Sequence, residues 1–387
     1  MSKKSINFFG TCSSAPAVLI VAPSGRALAA AARRAGFRPL VADFFDDLDT
    51  RALAAANILV AATERGFEAA DLIDQLQRLA TGRDPIGLVY GGGFEDRPQL
   101  IAELARHFPL YGNAAEVVAH VKDPRLLADL CRRLAIPHPE IRFELPPDPA
   151  HWLIKRAGGG GGLHIAPALS KSAEAGDYYQ RRLKGQPVAA LLLGTGRKAH
   201  VLGLSEQWTA ASFDKPFRFG GAARPAQLAA SLAAQISAAA ETIAAAAKLV
   251  GLNSIDFLVG DDGFHLLEIN PRPGATLDIF ADSDGRLFAA HLDACKGRLP
   301  QKPLLFPAAG ATAIFYTPLD LAPMPVLDWP DWCHDRQRPG TCLHKGDPVC
   351  TVSAKAETPM AARALIDERL ALFLKYLTDS ASKEAAA

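Results

Sequence analysis

The N-terminal part of the chain alternates short apolar runs with longer amphipathic stretches. Residues 17–22 (AVLIVA) predict a first strand, and the Ala-rich segment to about Ala35 predicts a helix that Gly36 ends. Further strands are expected at residues 38–43, 57–61 and 86–90, each followed by a helical pattern. Alternating strands and helices predict a Rossmann-like parallel sheet, which binds ligands at the carboxyl ends of its strands.

Three polar loops follow these strands, namely Ser24-Gly25-Arg26, 43–47 and 91–95 (GGGFE). None is a G-x-G-x-x-G motif that leads from a strand into a helix, so a nicotinamide site is weakly supported. We expect the loops to help hold a small substrate. Glycines that merely form tight turns explain each loop equally well.

The central pattern is less regular. Asp123 and Pro124 predict a helix start, and the helix should run to about Leu134. Short apolar runs predict strands at 152–155, 187–193 and 199–204, and a long helix is expected over 225–250, stopping at Gly251.

Beyond about residue 300 the chain is rich in Pro. Strands are expected at 313–316 and 347–353, a helix at 359–377, and a disordered Ala-rich tail after Asp379. The prediction is an α/β protein with an α+β central module and three parts: 1–112, 113–300 and 301–387.

Residues 254–276 (SIDFLVGDDGFHLLEINPRPGAT) predict a β-hairpin whose strands are joined by a three-residue loop ending at Gly263, where a positive φ is needed. That loop places Asp256 opposite Glu268, with Asn270 two residues further along the same face. Two carboxylates and an amide oxygen suit Mg²⁺, which prefers hard oxygen ligands. The alternative is a solvated polar face. His265 should lie on the opposite face, which argues against it as a ligand.

A run of five glycines cannot be explained by core packing. Backbone N–H groups in such a loop can approach an anion closely, and Lys155, at the end of the preceding strand, could reach a phosphate. The glycines are Gly158, Gly159, Gly160, Gly161 and Gly162. A flexible linker is the alternative.

Composition excludes several classes of protein. With 387 residues, a net charge of +1 and no dense basic stretch, the chain is an unlikely nucleic-acid binder, and we expect small-molecule partners. No apolar run is long enough to span a membrane, and residues 10–14 interrupt the apolar stretch that a signal peptide would need, so the expected compartment is the cytoplasm.

Six scattered cysteines do not resemble a disulfide framework. They are Cys12, Cys131, Cys295, Cys333, Cys342 and Cys350. A zinc site that uses Cys333 and its neighbours is a weak alternative, because no C-x-x-C pair is present.

The order of these motifs resembles the ATP-grasp superfamily of carboxylate–amine ligases over roughly residues 113–280. The resemblance is carried by the segments AHVKDPRLLADL (119–130), WLIKRAGGGGG (152–162), YYQRRLKGQPVAALLLG (178–194) and the hairpin with its E-x-N-P-R motif. Residues 1–112 fit the smaller Rossmann-like domain that precedes ATP-grasp modules.

The resemblance implies a role for each matching residue. Lys122 and Lys155 would bind ATP phosphates, with Gly158 to Gly162 as the lid over them. Gln180 and Arg181 lie at the adenine hinge, where many members carry an acidic residue after the Gln. Asp256, Glu268 and Asn270 would bind Mg²⁺ or Mn²⁺. Arg272, with Lys155, would act in catalysis.

The resemblance leaves the substrate side more open. Phe217 to Gly221 would help the lid to exclude water, and Arg218, Gly220 and Glu95 are candidate substrate-binding residues; a surface-loop role for Arg218 is nearly as good an explanation. A homodimer is compatible with the resemblance.

Segments such as YGGGFED and YGNAAEVVAHVKDPR are similar to ATP-grasp proteins of methylotrophic one-carbon metabolism, relatives of the tyramine–glutamate ligases of methanofuran synthesis. The implied reaction joins L-glutamate to tyramine or a close amine, with ATP as the cofactor. Two alternatives remain open. One is a bicarbonate-using carboxylase, because RPGTCLHKGDPVCTVSA resembles the C-terminal part of some carboxylases. The other is a non-catalytic nucleotide-binding protein.

Overall fold

The structure, a computed structural model, describes residues 15–63 and 66–385. The predictions that concern Cys12 and the segment before residue 15 lie outside these residues.

The N-terminal part is a parallel sheet with helices between its strands. The strands are β1 (Ala17–Val21), β2 (Arg38–Asp43), β3 (Ala56–Leu59), β4 (Pro85–Tyr90) and β5 (Leu110–Tyr111), in the order β3-β2-β1-β4-β5. All four pairings are parallel, as predicted. The helices are α1 (Arg26–Arg34), α2 (Leu48–Leu53), α3 (Ala69–Ala80) and α4 (Pro98–His107).

Two helices and a small sheet come next. The helices are α5 (Ala115–Lys122) and α6 (Pro124–Arg133). The Asp123 carboxylate caps α6 by accepting from the backbone N–H groups of Arg125 and Leu126, as its position before Pro124 predicts. The small sheet has the order β6-β9-β7-β8 and is made of β6 (Ile141–Arg142), β7 (Trp152–Arg156), β8 (Ile165–Pro167) and β9 (Asp177–Arg181).

A large antiparallel sheet forms the centre of the molecule. Its strands are β10 (Gln186–Thr195), β11 (Ala199–Thr209), β12 (Phe219–Arg224), β13 (Val250–Gly260), β14 (Gly263–Asn270), β15 (Ala309–Tyr316), β16 (Cys333–His334) and β17 (Pro348–Ala356). Their order is β14-β13-β10-β11-β12-β15-β17-β16, so strands from beyond residue 300 continue the same sheet.

Helices cover this sheet on both sides. Helix α7 (Ala230–Ala246) buries Ile236 and Ile243 against β10 and β13, and α8 (Arg286–Cys295) packs on the other face together with α1. Helix α9 (Pro359–Ala385) packs on β15 and β17. No helix in the described ranges has both the length and the apolar character that crossing a membrane requires.

Two predicted helix bounds are wrong. Helix α7 is shorter than 225–250: Ala247 caps its end, and Lys248 and Gly251, both with positive φ, turn the chain into β13. The segment after Asp379, predicted to be disordered, continues α9 as far as Ala385. Residues 386–387 lie outside the described residues.

Candidate functional site

The β13–β14 hairpin places Asp256 directly opposite Glu268, and Ser254 opposite Asn270. The predicted pairing is confirmed, although the predicted three-residue loop is wrong. Gly260 pairs with Gly263, so the turn has only two residues, and the register shifts next to Asp256. Leu267 is the extra residue of this β-bulge, and it restores the pairing that a two-residue turn would otherwise destroy. Gly263 has φ 114°, as the turn predicts.

The bulge also overturns the expectation for His265. His265 pairs with Leu258, which lies two residues from Asp256 and therefore on the same face. His265 is thus on the carboxylate side of the hairpin, nearer the turn. When Leu267 is treated as a regular strand residue, simple alternation along β14 predicts the wrong face for His265.

Asp256, Glu268 and Asn270 lie in contact. The Asn270 amide nitrogen donates to Asp256 Oδ2 (2.8 Å) and to Glu268 Oε1 (3.2 Å). Lys122 Nζ donates to Asn270 Oδ1 (3.1 Å) and lies 3.9 Å from Glu268 Oε2. Gln207 Nε2 donates to Asp256 Oδ1 (3.3 Å). The metal ligands and the first nucleotide lysine predicted from the sequence therefore converge.

The electrostatics of the two carboxylates differ. Burial, reinforced by the neighbouring Glu268, raises the pKa of Asp256 to about 7. Burial would also raise the pKa of Glu268, but the positive charges of Lys122 and Lys155 outweigh it and hold that pKa at about 2. Two buried carboxylates in contact repel each other when both are ionised, and a cation removes that repulsion.

The donor set fits Mg²⁺. Two carboxylates and one amide supply hard oxygens, once rotation of the Asn270 amide turns its oxygen toward the carboxylates. No group of three or more His, Cys, Asp or Glu side chains suited to a metal occurs in the described ranges. Cys333 and Cys350 are both buried and free, 4.0 Å apart, and His334 bonds to Ser353 instead, so the zinc alternative gains no support.

Lys155 is buried at the end of β7 and donates to Gln180 Oε1 (3.0 Å) on the neighbouring strand β9. Burial lowers the pKa of Lys155, and Glu268 partly opposes that effect. Gln180 Nε2 is buried and has no hydrogen-bond partner among the described residues. Lys155 and Gln180 thus lie together, as the predicted nucleotide role requires.

Arg181 points away from Gln180, because successive residues of a strand face opposite sides. Its guanidinium bonds to Asp148 Oδ2 (2.7 Å) and lies 5.5 Å from the Trp152 ring centroid. The structure therefore does not bring the Arg181 side chain together with the lysines.

The glycine loop bridges two parts of the molecule. Gly158 has φ 75°, and a Cβ there would lie 2.5 Å from Asp96 Cα in the N-terminal part. At the other end Gly162 has φ 74°, and a Cβ there would overlap the Phe217 carbonyl. Gly161 O accepts from Phe219 N (2.9 Å). The contacts at Gly158 and Gly162 require glycine because no side chain fits there.

A narrow cleft joins this loop to the hairpin. Its lining includes Lys122, Gly158, Gly159, His164, Tyr178 and Glu268. The ring of His164 packs where a Cβ of Gly159 would be, and its Nδ1 is buried without a partner among the described residues. The glycine loop therefore lies next to the acidic cluster.

Arg272 and Glu95 form an ion pair, with Nε 2.7 Å from Oε1. Both side chains are largely buried, at 14% and 7% exposure. The other oxygen of Glu95 accepts from the backbone N–H groups of Gly93 (2.7 Å) and Phe94 (3.0 Å). Burial would raise the pKa of Glu95, but the positive charge of Arg272 lowers it. Glu95, predicted to bind substrate, therefore holds Arg272 beside Asn270.

Arg218 and Gly220 have partners within the protein. Arg218 donates to the carbonyls of Ala210 (3.0 Å) and Gly346 (2.9 Å), and its guanidinium lies 3.6 Å from the Tyr316 ring centroid. A Cβ at Gly220 would lie 2.6 Å from Ala210 N. Residues 219–221 belong to β12, so only Phe217 and Arg218 of the expected lid segment precede the sheet.

Two of the three N-terminal loops are filled by the C-terminal part. Ser24 and Arg26 both bond to Asp335, and Arg26 also pairs with Asp278 (2.6 Å). Arg338 lies 3.5 Å from Asp46. Only the loop at 91–95 reaches the acidic cluster, through Glu95.

Sequence reasoning missed two residues that line the site. Gln207 was missed because β11 extends to Thr209, five residues beyond the predicted end of that strand at 204. His164 belongs to no recognisable motif, and only its position just after the glycine loop could have identified it.

Comparison with known proteins agrees with this arrangement. Residues 122–276 match the family model of the ATP-grasp domain. The carbamoyl phosphate synthase large chain of Deinococcus deserti is 23% identical over an alignment of 232 residues, which covers 53% of this chain and only 22% of that protein.

Two solved structures share the fold. A biotin carboxylase from Campylobacter jejuni superposes with a TM-score of 0.67 at 14% identity, covering 92% of this chain and 90% of its own. The second is the biotin carboxylase domain dimer of Hydrogenobacter thermophilus 2-oxoglutarate carboxylase, bound to MgADP, ADP and bicarbonate. It superposes with a TM-score of 0.66 at 11% identity, covering 88% of this chain and 86% of its own. Residues 122–276 are thus similar to the ATP-grasp domain, within an overall fold shared with these carboxylases.

Proposed function

We propose that this protein is an ATP- and Mg²⁺-dependent carboxylate–amine ligase, which forms an amide through an acyl phosphate and releases ADP and phosphate. The observation that supports it is the convergence of Asp256, Glu268 and Asn270 with Lys122 and Arg272 beside the glycine loop. Each group has the charge or donor type that one part of this reaction needs.

ATP would lie in the cleft between the two sheets. Backbone N–H groups of the glycine loop, Lys122 and Lys155 would hold its phosphates, and Gln180 Nε2, which has no partner among the described residues, could donate to the nucleotide. Bound at Asp256, Glu268 and Asn270, Mg²⁺ would neutralise phosphate charge. Arg181 is occupied with Asp148, so adenine recognition would rest on backbone groups of the hinge.

A free carboxylate is a poor electrophile, and its attack on the γ-phosphorus of ATP converts it into an acyl phosphate. Arg272, fixed by Glu95, would stabilise the negative charge that develops there. The amine then attacks the acyl carbon, the carbon–oxygen bond to phosphate breaks, and the amine loses a proton. The glycine loop, closed against Phe217 and Asp96, would exclude water that would otherwise hydrolyse the acyl phosphate.

For substrates we propose L-glutamate and tyramine, or a close aromatic amine, in the synthesis of a methanofuran-type cofactor. The support is the similarity of segments such as YGGGFED to that group of ligases.

The test is to incubate the protein with ATP, Mg²⁺, glutamate and tyramine, and to identify both the nucleotide and the amide product. ADP, phosphate and γ-glutamyl- or α-glutamyl-tyramine are expected. AMP and pyrophosphate would contradict the acyl-phosphate mechanism. ADP release that requires other acids or amines would retain the ligase and reject only this substrate pair.

A second candidate is a carboxylase that activates bicarbonate, favoured by the likeness of nearly the whole fold to biotin carboxylases. ADP release that depends on bicarbonate and needs no amine would select it. No nucleotide turnover with any acid, together with tight MgATP binding, would point to a nucleotide-binding protein without catalysis.

A further inference from the structure

A second cavity, of about 1090 Å³, lies between the N-terminal part, the segment 278–286 and the C-terminal strands. It shares no lining residue with the cleft at Glu268. Its volume is enough for a drug-sized molecule, and the proposed reaction does not use it.

One ion pair in its wall is incomplete. Arg34 Nε and Asp282 Oδ1 are 3.8 Å apart, too far for a hydrogen bond. Both atoms are buried, and neither has a partner among the described residues. The Asp282 side chain is only 8% exposed. Since neither atom is accessible from the cavity, this pair offers no group to a bound molecule, and the binding groups must come from other lining residues.

Positive charge is in excess in the cavity. Four lining cations have no carboxylate partner in the described part of the chain, namely Arg224, Arg286, Lys355 and Arg369. By contrast, Asp49 is paired with Arg336, and Arg26 is shared between Asp278 and Asp335. The lining carboxylates that lack a cation in that part of the chain are Asp284 and Asp331, and both are exposed. The balance favours an anion.

Part of the wall is apolar. It includes Leu53, Leu304, Phe306 and Trp332. The guanidinium of Arg369 lies 5.5 Å from the Trp332 ring centroid, so a cation and an aromatic face are presented together. An acid group joined to an aromatic or aliphatic body would use both.

We propose that this cavity is a second small-molecule site, separate from the ATP cleft, for a carboxylate or phosphate attached to an apolar body. Lys355 and Arg369 would bind the acid group, and Trp332 and Phe306 would contact the body.

The experiment is calorimetric titration of the full chain with phenyl phosphate and with benzoate, in saturating MgADP so that the ATP cleft is filled. Phenol and inorganic phosphate are the matched probes that lack the charge or the ring. We expect at least one aromatic anion to bind at least tenfold more tightly than both phenol and phosphate.

Lys355→Gln should weaken that binding about tenfold or more. Lys355 is exposed, so the variant should fold. Lys198→Gln, the same charge change at the exposed β10–β11 turn, should leave the affinity unchanged. The same titrations are repeated without nucleotide. The proposal is overturned if neither anion binds at millimolar concentration, if Lys355→Gln binds as well as the parent, or if an anion that binds without nucleotide fails to bind in saturating MgADP.

Discussion

The ion pair between Arg272 and Glu95 gives the sharpest prediction, because it joins the N-terminal loop to the centre of the candidate site. Glu95→Gln keeps the size of the side chain and removes the charge. Its amide can satisfy either Arg272 or the backbone N–H groups of Gly93 and Phe94, whereas the carboxylate now accepts from both.

The magnitude follows from burial. Exposures of 14% and 7% leave little solvent screening, and removing one partner from a buried pair costs about 3–5 kcal/mol. The negative charges of Glu268 and Asp256 also act on Arg272, so we expect the lower end of that range, about 3 kcal/mol. If the lost positioning acts fully on the transition state, kcat/KM falls roughly 10²-fold.

Two assays separate structure from catalysis. Urea unfolding at neutral pH measures the loss of folding free energy, and coupled detection of ADP release measures kcat/KM. Glu144→Gln, the same change on an exposed loop, is the control. An unfolding midpoint equal to that of the parent, with kcat/KM within twofold, would refute the reasoning.

Three further predictions concern the loop, the hairpin and a buried histidine. Gly162→Ala should lower the rate of ADP release at least tenfold, because the new methyl group overlaps the Phe217 carbonyl. Gly160 has open space around it, so Gly160→Ala should have little effect on that rate. Equal rates for the two variants would contradict a closed lid. Glu268→Gln should abolish Mg²⁺-dependent turnover, measured as ADP release across a Mg²⁺ titration, and a variant with unchanged turnover would exclude Glu268 as a ligand. Burial lowers the pKa of His291 to about 4, so as the pH falls the unfolded state takes up the proton before the folded state does. The stabilising contribution of the neutral, buried His291 is therefore complete above pH ~6.5 and is lost as the pH falls toward 4, by up to about 3 kcal/mol. His291→Gln should flatten that part of the pH dependence of urea unfolding, and an unchanged slope would contradict it.

Local patterns predicted the parallel sheet and the carboxylate pairing because both depend on nearest neighbours along the chain. In the hairpin the turn is one residue shorter than predicted and the bulge adds one residue to β14, so the two differences cancel at Asp256. No local signal distinguishes a two-residue turn with a bulge at Leu267 from a three-residue loop. The end of α7 was missed because Lys248 adopts a positive φ that its residue type does not indicate.

The partners of individual charges were harder to predict, since they lie far apart in sequence. Glu95 and Arg272 are separated by 177 positions, and Arg26 and Asp335 by 309. Glu95 was therefore assigned to substrate, and the loop at 24–26 was expected to help hold a small substrate. Lys122 and Asn270, by contrast, lie in contact as the family resemblance implies, because the resemblance already encodes long-range arrangement.

The bulge at Leu267 makes the orientation of Glu268 and Asn270 independent of the length of the hairpin turn, whereas a regular hairpin would couple the two. Shortening or lengthening the turn at 261–262 alters only the outer end of β13 and β14. If Leu267 took a regular place in the ladder opposite Asp256, the rest of β14 would be inverted, and Glu268 and Asn270 would point into the hydrophobic layer beneath α7. The bulged position of a single apolar residue thus decides on which side of the sheet the acidic groups stand.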